Sequence, residues 1–267
     1  VVGAGAIGNE LIKNLTLLGI GRILVYDMDA IESTNLTRSV LYRARDVGRY
    51  KAEVAAERAK EMNPDVKAKA FIANIIDDVG LGVFRRMNVV LGGLDNREAR
   101  LSINQSCYKL NKPWIDGAIE ALNGFARVFI PPEGACYECT MSETDWMLIN
   151  KRKSCALLTH EQMAEGKIPT TPTSSAIIAG VQVQELLKLL LDNPHVTIEI
   201  SAHTDRKGKD EYNLNLSAKR AQSVVDYLVS LGIEKENIFI FIYIDLVGSM
   251  VCIYKSGNQA ICTTREN

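Results

Sequence analysis

The residues best suited to chemistry lie at the start of the chain, where three glycines follow a short apolar run. Gly3, Gly5 and Gly8 form a Gly-x-Gly-x-x-Gly pattern between a predicted strand and a predicted helix. There, glycines permit a tight turn and close approach of a phosphate, and the helix N-terminus faces the anion. Asp27 ends the next predicted strand, Arg22–Tyr26, where a carboxylate can accept two ribose hydroxyls. The pattern predicts a nucleotide site.

Polar residues after Asp27 favour a triphosphate as the ligand. Asn35 and Arg38 follow in the segment DMDAIESTNLTR, and Lys51 opens the next predicted helix in GRYK. Several cations suit the charge of a triphosphate during phosphoryl chemistry. The alternative is a solvated loop with ordinary charges, and spacing alone leaves both open. An NAD-dependent oxidoreductase is disfavoured, because no catalytic His or Tyr/Lys pair follows the fold.

Asp95 is a candidate metal ligand. It follows a predicted strand in the segment LDNR, directly before a predicted helix from about Arg97 to Leu110. A hard cation such as Mg²⁺ prefers carboxylate oxygen. The alternative role for Asp95 is the N-cap of the helix, and one residue can do both.

The cysteines suggest two further sites. Cys136 and Cys139 have Cys-x-x-Cys spacing, which supplies half of the four ligands that zinc requires. Two structural cysteines with no metal are the alternative. Cys155 follows a run of basic residues that would favour the nucleophilic thiolate, with a plain loop cysteine as the alternative. Cys107 falls on a predicted helix and is expected in the core.

The order of elements predicts an α/β fold of the Rossmann type. Strands alternate with helices, which argues for a doubly wound, mostly parallel sheet, here with an antiparallel extension. Residues 136–172 are irregular in pattern, and we expect a crossover loop there. A strongly apolar helix is predicted at Ser174–Leu191, and a hairpin is predicted from Ile238–Ile244 and Met250–Tyr254.

Composition narrows the classes of function. Thirty-one basic residues against 32 acidic ones give a formal charge of −1, which offers no argument for binding nucleic acid or an anionic membrane. No apolar run reaches transmembrane length and no leader opens the chain, which begins without Met and looks trimmed. The sparse cysteines suit a reducing compartment, so we expect a cytoplasmic protein.

The motifs GAGAIG, DMDAIESTNLTR, GRYK and LDNR, in that order, resemble those of the ubiquitin-activating-enzyme superfamily, which includes the bacterial ThiF, MoeB and HesA proteins. The resemblance covers residues 1–193 and about 239–267, taken as one adenylation domain. It implies ATP- and Mg²⁺-dependent adenylation of the C-terminal carboxylate of a ubiquitin-like or sulfur-carrier protein ending in Gly-Gly. It also implies a homodimer.

The resemblance also implies roles for individual residues. Asp27 would hold the ribose, while Asn35, Arg38 and Lys51 would contact the triphosphate. Asp95 would position the metal and the reacting centre. The chain departs from the family at Thr37-Arg38-Ser39, where the family usually has Asn-Arg-Gln, so the residue after the arginine differs while the arginine is kept.

For the cysteines, the family implies a zinc site and a thioester. A second Cys-x-x-Cys pair lies near the family's C-terminus, about where this sequence stops, so Cys136 and Cys139 would be a half-site. Cys155 lies near the position at which activating enzymes take the acyl group as a thioester.

Residues 194–238 carry a different resemblance, to the OmpA-like peptidoglycan-binding domain, and are predicted to be a partial inserted strand–helix segment. Asp205 and Arg220 match the positions that hold diaminopimelate in that family. A carboxylate with a guanidinium suits a zwitterionic amino acid. A salt-bridged unit with no ligand is the alternative. Peptidoglycan binding is therefore an alternative function for the chain.

Overall fold

The computed structural model describes residues 1–120, 123–153, 171–191, 198–203, 219, 222–223, 226, 238–244, 250–255 and 259–264. The chain divides into two compact units, Val1–Leu186 and Leu187–Asn267. The helices described are α1 (Ala6–Leu17), α2 (Lys51–Met62), α3 (Leu81–Arg85), α4 (Arg97–Lys109), α5 (Glu143–Lys153) and α6 (Pro172–Leu191). The strands described are β1 (Arg22–Tyr26), β2 (Lys67–Phe71), β3 (Val90–Gly92), β4 (Trp114–Glu120), β5 (Asn123–Phe129), β6 (Ile198–His203), β7 (Ile238–Ile244), β8 (Met250–Lys255) and β9 (Gln259–Thr264).

A mostly parallel sheet forms the centre of the first unit. β1 pairs in parallel with β2, and β3 pairs in parallel with β4, which is antiparallel to β5. Val2 forms parallel bridges with both Tyr26 of β1 and Gly92 of β3. The strand order is therefore β2–β1–Val2–β3–β4–β5, with the first residues of the chain in the middle. This confirms the predicted α/β fold class and its antiparallel extension.

Helix α1 begins and ends where the sequence indicates. Gly5 precedes its first turn, and Gly19 follows its last turn with a positive φ of 74°. The amide of Gly19 donates to the Thr16 carbonyl and that of Ile20 to the Leu15 carbonyl, so the last turn closes on itself. Apolar side chains at helical spacing bury α1 against the rest of the unit.

Residues 136–153, the first part of the segment expected to be a crossover loop, contribute to the core, which corrects the prediction for that part. Residues Glu143–Lys153 form α5, and Ile149 on this helix is only 1% exposed. Tyr137 is also buried, packing edge-on against Trp114 with ring centroids 5.9 Å apart. The helical periodicity of α5 is weak, but Ser142 and Asp145 form reciprocal hydrogen bonds that cap its first turn.

The described strands of the second unit form a sheet in the order β6–β7–β8–β9. β6 and β7 are parallel, and β7, β8 and β9 are antiparallel neighbours. The predicted hairpin is confirmed as β7 and β8, while β9 was not predicted. Asp205 and Arg220 lie outside the described residues, so the OmpA-like segment and its bounds stay a prediction.

The glycines of the first turn differ in what their replacement should cost. A Cβ on Gly8 would overlap the carbonyl oxygen of Gly3, whereas a Cβ on Gly5 would meet no atom within 4 Å. We expect Gly8→Ala to reduce the free energy of unfolding by about 1–3 kcal/mol, because backbone must move. Gly5→Ala is the matched control and should unfold like the unchanged protein. Equal melting temperatures for the two variants would contradict this packing.

Candidate functional site

The glycine turn lies where the first segment of the chain leaves the sheet. Gly3 has a positive φ of 88°, and a Cβ there would lie 2.5 Å from the carbonyl oxygen of Gly93. Gly8 packs on Gly3 from the first turn of α1. Gly5 leaves open space above its backbone, at a helix start with no side-chain cap. Such a helix start can accept an anion.

Asp27 is bonded to this turn. Its Oδ2 accepts the amide of Ala4 at 2.7 Å, and its Oδ1 accepts the amide of Asp29 at 2.8 Å. Burial raises the pKa of Asp27 above its usual value, although the two amides and nearby Lys51 act in the opposite direction. The carboxylate is therefore fixed in direction beside the glycine turn, and each oxygen keeps acceptor capacity for a hydroxyl.

Lys51 is the third predicted residue in this cluster. Its Nζ lies 2.7 Å from Oδ2 of Asp29, and its side chain is only 13% exposed. The amide of Lys51 also donates to the Asp29 carbonyl at 2.9 Å, which holds the start of α2 against the segment after β1. The structure thus brings the glycine turn, Asp27 and Lys51 together.

Asn35 and Arg38 bond within their own turn. Oδ1 of Asn35 accepts the amide of Glu32 at 2.9 Å, and Nη1 of Arg38 donates to the Thr34 carbonyl at 2.9 Å. Among the residues that the structure describes, neither side chain bonds directly to Asp27 or Lys51. Their predicted contact with a triphosphate would require them to leave these local partners. Ser39, the departure from the family pattern, is buried.

Asp95 is exposed just after β3. The N-cap of α4 is Asn96, whose Oδ1 accepts the amide of Ala99 at 2.8 Å, so the alternative N-cap role for Asp95 is wrong. The segment reaches the glycine turn through Gly93, whose amide donates to the Val2 carbonyl at 2.9 Å. Asp95 therefore follows directly on the part of the chain that packs against the turn.

Two buried residues that the sequence analysis missed support the turn. The Nδ2 of Asn9 donates to the carbonyls of Ala4 and Gly5, and its Oδ1 accepts the amide of Leu41. The hydroxyl of Tyr42 donates to the Ala4 carbonyl at 2.6 Å, and burial raises the pKa of this phenol. An amide side chain on the buried face of α1 was the available signal for Asn9. Tyr42 gave none, because only folding brings it to Ala4.

The two thiols of the Cys-x-x-Cys pair lie together at the surface. The sulfur atoms of Cys136 and Cys139 are 3.6 Å apart. This fits two corners of a tetrahedral zinc site, in which Zn–S bonds of about 2.3 Å put sulfurs roughly 3.8 Å apart. Burial would raise the pKa of Cys136, but hydrogen bonds from Cys139 and Asn104 lower it below its usual value. In the described part of the chain, no three His, Cys, Asp or Glu residues cluster as a metal site.

Cys107 and Cys155 are two further cysteines whose environments were predicted from the sequence. Cys107 is fully buried on α4, as predicted, and burial raises its pKa to about 12. Cys155 lies outside the described residues, so its role as an acyl acceptor stays a prediction.

No helix in the described ranges has the length and apolar character needed to cross a membrane.

Curated activating enzymes are similar to this chain in sequence. Ubiquitin-like modifier-activating enzyme 5 of Dictyostelium discoideum is 34% identical over 205 residues, 72% of this chain and 52% of that protein. The NEDD8-activating enzyme E1 catalytic subunit of Arabidopsis thaliana is 40% identical over 154 residues, covering 53% of this chain and 34% of that protein. The chain spans about half the length of the curated modifier-activating enzymes that it matches.

Solved structures of MccB are also similar to this chain. The crystal structure of E. coli MccB with ATP is 25% identical, with a TM-score of 0.57, and covers 70% of this chain and 53% of that chain. MccB with AMPCPP and selenomethionine MccA gives a TM-score of 0.58 at 25% identity, over 70% of this chain and 53% of that one. A family match described as "ThiF family" covers residues 1–225. The chain belongs to the ThiF family.

Proposed function

We propose that this protein uses ATP to adenylate the C-terminal carboxylate of a ubiquitin-like or sulfur-carrier protein. The observation that carries the proposal is the 2.7 Å hydrogen bond from the amide of Ala4 to Oδ2 of Asp27, which joins the carboxylate proposed to bind ribose to the turn proposed to bind phosphate. Relatives are named as ubiquitin-like modifier-activating enzymes, and solved relatives were crystallised with ATP and with MccA. These names support an acyl-adenylating reaction.

The proposed site holds the nucleotide along the edge of the sheet. The ribose hydroxyls bond to Asp27, and the phosphates extend over the start of α1 and Gly5. Lys51 is next to Asp27 and meets the phosphates by exchanging its partner Asp29 for them. Asn35 and Arg38 add contacts to the same phosphates when they leave their own turn.

Asp95 and Arg38 are the proposed catalytic groups for adenylation. The carboxylate of Asp95 is an oxygen ligand of the kind that Mg²⁺ prefers, and a Mg²⁺ ion held there would neutralise phosphate charge. An oxygen of the carrier's carboxylate attacks the α-phosphorus, the bond to the bridging oxygen breaks, and pyrophosphate leaves with its electrons. The protein's part is alignment and charge neutralisation, for which Arg38 supplies a cation.

The family resemblance adds a zinc site, a homodimer, a cytoplasmic location and a carrier partner to the proposal. Cys136 and Cys139 supply two of the four ligands of a structural zinc ion, a role that their 3.6 Å separation supports. The active form is a homodimer in the cytoplasm, whose partner is a carrier protein ending in Gly-Gly. Peptidoglycan binding is not proposed, because Asp205 and Arg220 lie outside the described residues.

Pyrophosphate exchange tests the reaction directly. We expect labelled pyrophosphate to enter ATP only when a carrier protein ending in Gly-Gly is added, because the adenylate forms reversibly. A carrier truncated by its last two residues is the control and should give background exchange. Exchange with neither carrier, together with uptake of NADH in calorimetry, would favour an oxidoreductase instead.

Replacing Asp27 tests the nucleotide site. We expect Asp27→Ala to weaken ATP binding about 10- to 100-fold in calorimetry, because two hydroxyls lose a charged acceptor. Asp77→Ala, which removes an exposed aspartate bonded to Asn74, is the matched control and should bind normally. Since burial raises the pKa of Asp27, affinity should begin to fall at a higher pH than for an exposed aspartate. Unchanged affinity in Asp27→Ala would contradict the assignment.

A second chemical step is proposed at Cys155. Its thiolate attacks the acyl-adenylate carbonyl, a thioester forms, and AMP leaves. A carrier adduct that dithiothreitol cleaves should appear on non-reducing gels and be absent in Cys155→Ser. Cys107→Ser is the matched control, because the Cys107 thiol is buried with its pKa raised to about 12. An adduct that persists in Cys155→Ser and is still cleaved by dithiothreitol would assign the acceptor to another cysteine.

A further inference from the structure

A buried ion pair between Arg100 and Asp116 lies next to the segment that carries Asp95. Nε of Arg100 donates to Oδ1 of Asp116 at 2.8 Å, and the Asp116 side chain is 0% exposed. Among the residues that the structure describes, Arg127 is a second cation near this carboxylate, with its Nη2 3.8 Å from Oδ2. Arg100 extends from α4, while Asp116 and Arg127 are cross-strand partners on β4 and β5. The guanidinium of Arg100 is therefore held by a carboxylate of the sheet, that of Asp116 on β4.

The same guanidinium reaches the backbone next to Asp95. Nη2 of Arg100 donates to the Leu94 carbonyl at 2.5 Å and to the Gly117 carbonyl at 3.2 Å. Because a peptide bond is planar, fixing the Leu94 carbonyl also fixes the amide of Asp95. On the other side, Asn96 is fixed by capping α4. Asp95 is thus a single residue between two anchored neighbours.

The anchoring continues on the opposite face of the sheet. Nε2 of Gln182, on α6, donates to the Gly92 carbonyl at 2.9 Å and to the Ile115 carbonyl at 3.1 Å. Gly92 is followed by Gly93, which packs on Gly3. The path from the glycine turn to Asp95 is therefore held at Gly92, Gly93 and Leu94, and the last of these depends on Arg100.

From this geometry we propose that Arg100, buttressed by Asp116, is a positioning residue that sets the direction of the Asp95 carboxylate relative to the glycine turn. The inference rests on the proposed function for the use of Asp95, but the anchoring itself is a property of the protein alone. Lysine cannot replace arginine here, because a single ammonium lacks the planar fork that bonds Asp116 and Leu94 together.

The chain offers a matched control on α2. Arg58 is also largely buried, and its Nη2 lies 3.3 Å from Oδ2 of Asp46, whose side chain is 2% exposed. Arg58→Lys and Arg100→Lys therefore make the same chemical change beside a buried aspartate, although Nη1 of Arg58 also bonds to the exposed Glu61 at 2.8 Å. Only the second pair bonds to the segment before Asp95.

Hydrogen exchange tests the anchoring without any ligand. We expect the amides of residues 92–96 to exchange about tenfold faster or more in Arg100→Lys, because the charged bond to the Leu94 carbonyl is lost. The same peptide in Arg58→Lys should exchange as in the unchanged protein. Unaltered exchange in Arg100→Lys would overturn the proposal. Should that variant not fold, Asp116→Asn leaves Arg100 in place and should raise exchange in the same segment.

Kinetics then test the link to Asp95. In pyrophosphate exchange we expect Arg100→Lys to lower kcat roughly 10- to 100-fold while KM for ATP stays within about threefold, since misplacement affects the reacting geometry. The double variant Arg100→Lys with Asp95→Asn should have a kcat close to that of Asp95→Asn alone, because both changes remove the same contribution of the Asp95 carboxylate. Fully additive losses, or losses equal to those of Arg58→Lys, would overturn the proposal. If the unchanged protein shows no pyrophosphate exchange, the proposed function is refuted. The hydrogen-exchange experiment would still show whether Arg100 anchors the segment before Asp95.

Discussion

The close approach of backbone to backbone at Gly3, Gly8 and Gly93 is the constraint on which the first unit depends. A side chain at Gly3 or Gly8 would collide with main-chain atoms, so the turn, the start of α1 and the segment after β3 are packed as one piece. Because Val2 bridges both β1 and β3, that piece lies in the middle of the sheet. Residues at the ends of neighbouring strands are thereby brought to a common edge, as in other open α/β sheets.

The charged groups at this edge bond to other parts of the protein before any ligand arrives. Lys51 is paired with Asp29, and Arg38 with the Thr34 carbonyl, while Asp27 is bonded to two amides. A triphosphate would therefore bind by exchange of partners, which costs less than leaving a cation unpaired in a half-buried site. The amides of the α1 start need no such exchange, since no side chain caps them.

Site residues could be predicted from the sequence where their positions depend on local spacing. They could not be predicted where their positions depend on contacts between distant residues. The glycine pattern, Asp27 at the end of β1 and Lys51 at the start of α2 could be placed from strand and helix signals alone. Tyr42 and the Arg100–Asp116 pair could not, because residues 16 or more positions apart meet only in the folded chain. Helix α5 was missed because its apolar periodicity is weak. The spacing of Ser142 and Asp145 is typical of a helix N-terminus and could have indicated where it begins.

The central claim is that a single nucleoside triphosphate contacts the glycine turn, Asp27, Lys51 and Asp95 together. Titration of the isotope-labelled protein with ATP and Mg²⁺, followed by amide NMR, measures this residue by residue. The account predicts that the amides of Ala4–Ile7 shift together with those of Asp27, Lys51 and Asp95, at one common dissociation constant. Shifts confined to other parts of the chain, or a response of these amides to NADH and not to ATP, would contradict it.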